Sequence, residues 1–217
     1  MMDHKLWLES EYQQWVQALQ SLTVYNFKEH PQVKRMLGEI EWSQEFRVPL
    51  SVDDYELIEQ IDNIGRRRVT ELSGVGWRMV YYANIILYKN PPSIIEIGGG
   101  AGEFYAILRA LGYKGEYYIC DLPEVKLFQY KYLREVRQQT GLALSQLLSY
   151  DFCVSFYALG EFDDETKEWY IRNVINKCPH GFIIWNPHSG ASDTINFRCT
   201  IQDEYPLLAK GNKQLEW

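Results

Sequence analysis

Residues 93 to 104 read SIIEIGGGAGEF, an Ile-dominated run with one acid inside it, followed by four glycines within five positions. The apolar run predicts a buried strand, and the turn after it is stripped of side chains so that a backbone or a ligand can approach closely. An apolar, helix-forming segment, EFYAIL, follows directly. Strand, bare turn and helix form the repeating unit of an open α/β sheet, and in such sheets the turn lies where ligands bind.

The chain on either side agrees with that unit. After Pro91-Pro92, short apolar runs alternate with amphipathic segments, as in a parallel sheet with crossover helices. The pattern predicts strands over residues 93–97, 116–120, 143–147, 152–157 and 181–185, and helices over 103–111, 122–140 and 164–177. Two last strands, over 197–203 and 214–217, are expected to close the sheet as an antiparallel edge. Before Pro91 the apolar spacing is helical over 6–22, 33–40, 53–61 and 75–88, with 44–50 extended. The reading is an α/β fold, a Rossmann-like doubly wound and mostly parallel sheet over residues 91–217, with a helical N-terminal extension or lid over 1–90, in one integrated domain. A length of 217 residues with 46% hydrophobic content suits it.

Charge and composition exclude several functions. With 22 basic against 29 acidic residues and a net charge of −7, the summed field repels a polyanion, so no nucleic-acid partner is expected. The cluster Arg66-Arg67-Arg68, followed by Glu71, reads as a solvated helix face. The four cysteines, Cys120, Cys153, Cys178 and Cys199, are widely spaced without metal-ligand spacing and read as reduced and structural. The first residues carry acids and no continuous apolar stretch, and no segment approaches the roughly 20 apolar residues of a membrane span. A soluble, cytoplasmic protein without a membrane partner is expected. The abrupt end at Trp217 leaves open that the chain is a piece of a longer polypeptide. Sixteen Tyr and seven Trp serve mainly for packing, and some are free to line a cleft for a polar ligand such as a sugar.

The glycine spacing narrows the ligand. A dinucleotide turn needs G-x-G-x-x-G, and here the third glycine is replaced by Glu103, a carboxylate in the first helical turn where a pyrophosphate would sit. The spacing present is Glu96-x-Gly98-x-Gly100-x-Gly102, with Asp121 at the end of the next strand. An acid there can accept hydrogen bonds from both hydroxyls of a ribose, and it can also cap the helix that begins Leu122-Pro123-Glu124; the two roles are compatible.

This spacing is similar to the first motif of class I S-adenosylmethionine (SAM)-dependent methyltransferases. Further words, IIEIGGGAGEFYAIL, YYICDLPEVKLFQYKYL, VSFYALGEFDDETKEWYIRNV and GFIIWNPHSG, resemble the sugar O-methyltransferase branch over about residues 90 to 190. The resemblance implies a SAM cofactor, with S-adenosylhomocysteine as its product, held by Glu96, Gly98, Gly99, Gly100, Gly102, Asp121 and Leu122. It also implies a place in bacterial glycan operons, or within larger bacterial or viral glycan-building proteins beside glycosyltransferase domains. One departure is Glu161-Phe162, where the family has Glu-Met. Some sugar methyltransferases hold a divalent metal on clustered Asp residues. Asp163-Asp164-Glu165 reads instead as a helix cap and acidic first turn, and no metal is predicted.

Methyl transfer from a sulfonium is an in-line displacement that needs alignment of three atoms and removal of a proton. His188, after the fifth strand, is the leading general base, with Glu161 and Asp193 competing. Tyr157, Trp185 and Asn186 are expected to line the acceptor pocket, Tyr150 and Asp151 to flank the adenine, and Phe156 to lie near the transferred methyl. Arg78 is expected in a surface ion pair, or else on the cofactor's carboxylate, and His4, His30 and His180 are structural or exposed. The expected acceptor is a sugar, nucleotide sugar or glycan. A small phenol or carboxylate acceptor and a non-catalytic binding domain of a glycan-assembly protein are the alternatives, and monomer and homodimer both stay open.

Overall fold

Ser51 and Ser73 each start a helix by accepting a backbone N–H three residues on, from Asp54 and Gly76, at 3.1 Å in both cases. The helices are α1 (Val52–Asn63) and α2 (Gly74–Lys89). Asn90 ends α2 in the left-handed region, φ 44°, and Pro91-Pro92 prevents continuation. The chain then enters β1 (Ser93–Ile97), whose five residues are all buried.

In the computed structural model, residues 17, 22–31, 48–66, 71–140, 150–185, 200–203 and 213–217 are described. After β1 come α3 (Glu103–Ala110), β2 (Glu116–Cys120), α4 (Pro123–Thr140) and β3 (Phe152–Phe156). The single-turn α5 (Ala158–Glu161), α6 (Asp164–Asn173) and β4 (His180–Trp185) follow, then β5 (Thr200–Asp203) and β6 (Lys213–Glu216). The sheet order is β2-β1-β3-β4-β6-β5, with the first four strands parallel and β6 antiparallel to both β4 and β5. The chain leaves β1 towards β2 on one side and returns to β3 on the other, so the sheet is doubly wound with its switch point between β1 and β3.

The sequence expectations hold at β1 and β2 to the residue. The strand expected over 152–157 stops at Phe156 because Tyr157 turns left-handed, φ 70°. The helix expected over 164–177 breaks at Val174 (φ −120°, ψ −65°), and Ile175–Lys177 forms a separate 3-10 turn. The expected strand over 143–147 and helix over 33–40 lie outside the described residues. Asp163 caps α6, accepting the Thr166 N–H at 2.7 Å, as read from the acidic cluster.

The core is rich in tyrosine. Tyr82, Tyr105, Tyr113, Tyr117 and Tyr132 are fully buried, so their hydroxyls need partners inside. Tyr132 donates to Ile61 O at 3.1 Å, Tyr113 to Pro91 O at 3.0 Å, and Tyr117 to Glu96 at 2.8 Å. Helices α1 and α2 pack on α3, and one apolar cluster runs from Leu22 and Phe27 through Ile58 and Ile86 to Ile94 and Phe182. Phe27 lays its ring edge-on to Phe128 and Tyr132 of α4, over Gly65, where a Cβ would lie 2.3 Å from that ring. Among the described residues no helix is long and apolar enough to cross a membrane.

Candidate functional site

The glycine turn leaves β1 at the switch point. Gly98, Gly100 and Gly102 all take positive φ, 70°, 55° and 91°, which other residues adopt at a cost. Gly98 donates to Cys120 O at 2.9 Å, which lays the turn against the end of β2. A Cβ on Gly98 would come within 2.2 Å of Ala158 Cβ, so α5 closes over the turn only because Gly98 is bare. Gly100 is open outward, with nothing within 4 Å of the place a Cβ would take.

Asp121 stands beside this turn. Its Oδ2 accepts Gly100 N at 3.1 Å and Gln129 Nε2 at 3.0 Å, and its Oδ1 accepts Leu122 N at 2.9 Å. A carboxylate offers about four acceptor directions, so about one remains, on Oδ1. The geometry thus leaves room for one added donor, where the sequence reading expected both ribose hydroxyls side by side. Burial pushes the Asp121 carboxyl up to about 7, opposed by the N–H groups of Leu122 and Gly100, Lys126 and Gln129.

Glu96 lies beneath the turn and does not line its mouth. It is 2% exposed, and a Cβ on Gly99 would lie 2.7 Å from its Oε2. Burial raises it to about 8, with the Tyr117 phenol opposing and the Asp121 charge adding. Glu96, expected among the residues that hold the cofactor, instead turns its carboxyl into the protein, where the Tyr117 phenol donates to it.

Glu103 also departs from the sequence argument. Its carboxyl turns inward to Lys28 Nζ at 2.6 Å, and Lys28 also donates to Asp62 O at 2.7 Å. It does not face the turn as a bare charge, so direct repulsion of a pyrophosphate falls away. What opposes a pyrophosphate is that the Gly100 and Gly102 N–H groups are already engaged, by Asp121 and by Gly99 O at 2.9 Å.

No protein-family model and no curated protein matches the sequence. Among solved structures the chain is similar in layout to a SAM-dependent methyltransferase from Aquifex aeolicus, at 13% identity and a TM-score of 0.45, over 76% of this chain and 98% of that one. It is also similar to magnesium protoporphyrin IX methyltransferase from Synechocystis, at 11% identity and 0.42, over 78% and 98%. A third is mitomycin 7-O-methyltransferase, at 12% and 0.43, over 96% of this chain and 68% of that one.

At the carboxyl end of β3, Tyr157 is held left-handed with its hydroxyl 2.9 Å from that of Tyr82 and the Arg78 guanidinium 5.0 Å over its ring. Arg78 is 5% exposed, so the expected surface position is corrected: its guanidinium is buried over the Tyr157 ring. Phe156 packs inward between Tyr82, stacked at 4.8 Å, and Phe104 at 4.5 Å, beside the switch point and within the core. Tyr150 and Asp151 are corrected. They precede β3, and Asp151 is tied to Ser93, the first residue of β1, by Ser93 Oγ to Oδ2 at 2.9 Å. That is the opposite end of parallel strands from the turn, some 15 Å away at about 3.3 Å per residue, so neither flanks an adenine seated there. Glu161 closes α5 beside the turn. His188, Asp193 and Asn186 lie outside the described residues, and Trp185 ends β4.

Two contributors escaped the sequence reading. Lys28 carries no motif, and only the fold brings it 75 positions across to Glu103. Gln129 carries only a local signal, a polar residue on the apolar face of α4, between Phe128 and Tyr132.

Proposed function

We propose that the chain binds SAM over the glycine turn and transfers its methyl group to a hydroxyl of a sugar or terminal glycan residue. The observation that carries the reading is the Asp121 carboxylate, fixed at the lip of the turn by Gly100 N and Gln129 with one acceptor direction left on Oδ1. A ribose hydroxyl matches that direction. The fit of the rest supports it: a backbone bare at Gly100, Gly100 and Gly102 N–H groups that are already engaged, and an acid at the end of the second strand. The sulfonium, when bound, supplies an activated methyl group.

The chain's part is to orient and to take up a proton. Asp121 anchors the ribose end, and α5 over Gly98 shapes the side of the turn towards β3. Tyr157, held by Tyr82 and Arg78, offers an aromatic surface to the C–H face of a sugar, which together with the sequence resemblance supports a sugar acceptor. The acceptor's hydroxyl proton passes to the His188 imidazole, with the carboxylates of Glu161 and Asp193 as competing bases. Incubation with SAM and panels of nucleotide sugars, free sugars and simple phenols, followed by mass spectrometry, tests this. A methyl-group increment on a sugar is expected. Methylation of phenols alone contradicts the sugar reading, and no transfer to any acceptor by protein that binds SAM contradicts the enzyme.

A further inference from the structure

Gln129 sits two helical turns into α4 on a face otherwise made of Val125, Phe128, Tyr132, Leu133 and Val136, and it is 3% exposed. A primary amide buried among such residues costs stability unless it finds a partner. Its Nε2 donates to Asp121 Oδ2 at 3.0 Å, the oxygen that also takes Gly100 N at 3.1 Å, while Leu122 N holds Oδ1 at 2.9 Å. Three donors from three places thus meet on one carboxylate: the glycine turn, the start of α4 and the inner face of α4. The two backbone donors are fixed by the fold, whereas the third is a side chain that the packing of α4 aims at the acid. A neutral donor there fixes the carboxylate without cancelling its charge, which a Lys or Arg would do.

We propose that Gln129 is a positioning residue for the ligand site, holding the Asp121 carboxylate in register with the glycine turn so that Oδ1 is presented to a ribose hydroxyl. This rests on the reading of the turn as a SAM site. The groups facing Asp121 are Lys126 on α4, Glu96 on β1, its neighbour Cys120 on β2 and Tyr170 on α6. A donor on a carboxylate favours the ionised form, so loss of the amide raises the pH at which Asp121 ionises.

The test is calorimetry of S-adenosylhomocysteine over a range of pH with wild type, Gln129→Leu, Gln129→Met, Asp121→Ala and Asp121→Ala/Gln129→Leu, with thermal melting to confirm folding. Each Gln129 variant is expected to weaken binding about tenfold or more, as for a hydrogen bond to a charged group, and to move the pH midpoint of binding upward. Without the Asp121 carboxylate, the further loss of Gln129 is expected to change affinity by less than about twofold. Equal loss with and without Asp121, or an unmoved midpoint, overturns the proposal and leaves the SAM reading standing. Failure of the wild type to bind overturns the SAM reading itself, and this proposal with it. Should the variants not fold, nuclear magnetic resonance of the Gln129 side-chain amide in nitrogen-15-labelled wild type decides. Its resonance is expected to shift with the ionisation of Asp121, and a pH-invariant resonance overturns the proposal.

Discussion

Two carboxyls, the buried Glu96 and the partly exposed Asp121, lie against a turn that has almost no side chains, and both are held above their ordinary range. Among the described residues Glu96 has the Tyr117 phenol as donor and no cation beside it, so burial leaves it at about 8, above its ordinary value of 4.5. The folded protein therefore keeps a proton that the unfolded chain releases. Stability is fully present at low pH and falls as pH rises through about 5 to 8, by up to about 1.4 kcal/mol per pH unit for one group. Asp121 at about 7 adds in the same direction. Replacing Glu96 by Gln keeps an acceptor for Tyr117 and removes the titration. Urea unfolding at a series of pH values is expected to show a flatter decline for Glu96→Gln, and curves parallel to wild type would refute the assignment. Ligand binding runs oppositely: if Asp121 accepts a hydroxyl as a carboxylate, S-adenosylhomocysteine affinity is expected to rise with pH through about 7. Affinity that is flat or falls over that range would count against the ribose role.

At the scale of elements, the turn works because α5, through Ala158, and α4, through Leu133, close on bare backbone at Gly98 and Gly102. Gly98→Ala meets both a positive φ and Ala158 at 2.2 Å, whereas Gly100→Ala meets only its φ of 55° in open space. The first is expected to cost more stability than the second, which should lose about 1 kcal/mol from backbone strain alone. Equal losses by chemical denaturation would contradict the steric account. These elements were legible because their signals are local: an Ile run, glycines at fixed spacing, Pro91-Pro92, and an acid ending EYYICD. What was not legible depends on distance. The inward turn of Glu103 needs Lys28, which the sequence separates by 75 positions, and the enclosure of Glu96 needs Tyr117 from the next strand. Tyr150 and Asp151 precede β3 and so lie at the amino end of a parallel strand, away from the carboxyl ends where such sheets bind ligands, a distinction that strand direction already carries.

Over the whole molecule, the segment 22–31 and helix α1 are tied to the helix that follows the glycine turn by a buried charge cluster. Lys28 joins Glu103 at 2.6 Å and Asp62 at 3.5 Å, and Arg66 lies 3.4 Å from Asp62. Burial alone would raise Asp62, but Lys28, Arg66 and Ser73 hold it below its ordinary value. Removing only the cation leaves buried acids unpaired, so Lys28→Met is expected to destabilise the fold by about 3–5 kcal/mol. Adding Glu103→Gln should recover part of that loss, and a strictly additive double variant in urea unfolding would contradict the pairing. The same cluster shares α3 with the ligand turn. The central claim is that this turn and Asp121 hold an adenosyl ligand, and the direct measurement is calorimetric titration of S-adenosylhomocysteine into folded wild type and Asp121→Ala. Saturable binding that Asp121→Ala weakens about tenfold or more is predicted. No binding at high micromolar ligand, or unchanged affinity without the carboxylate, would contradict the account.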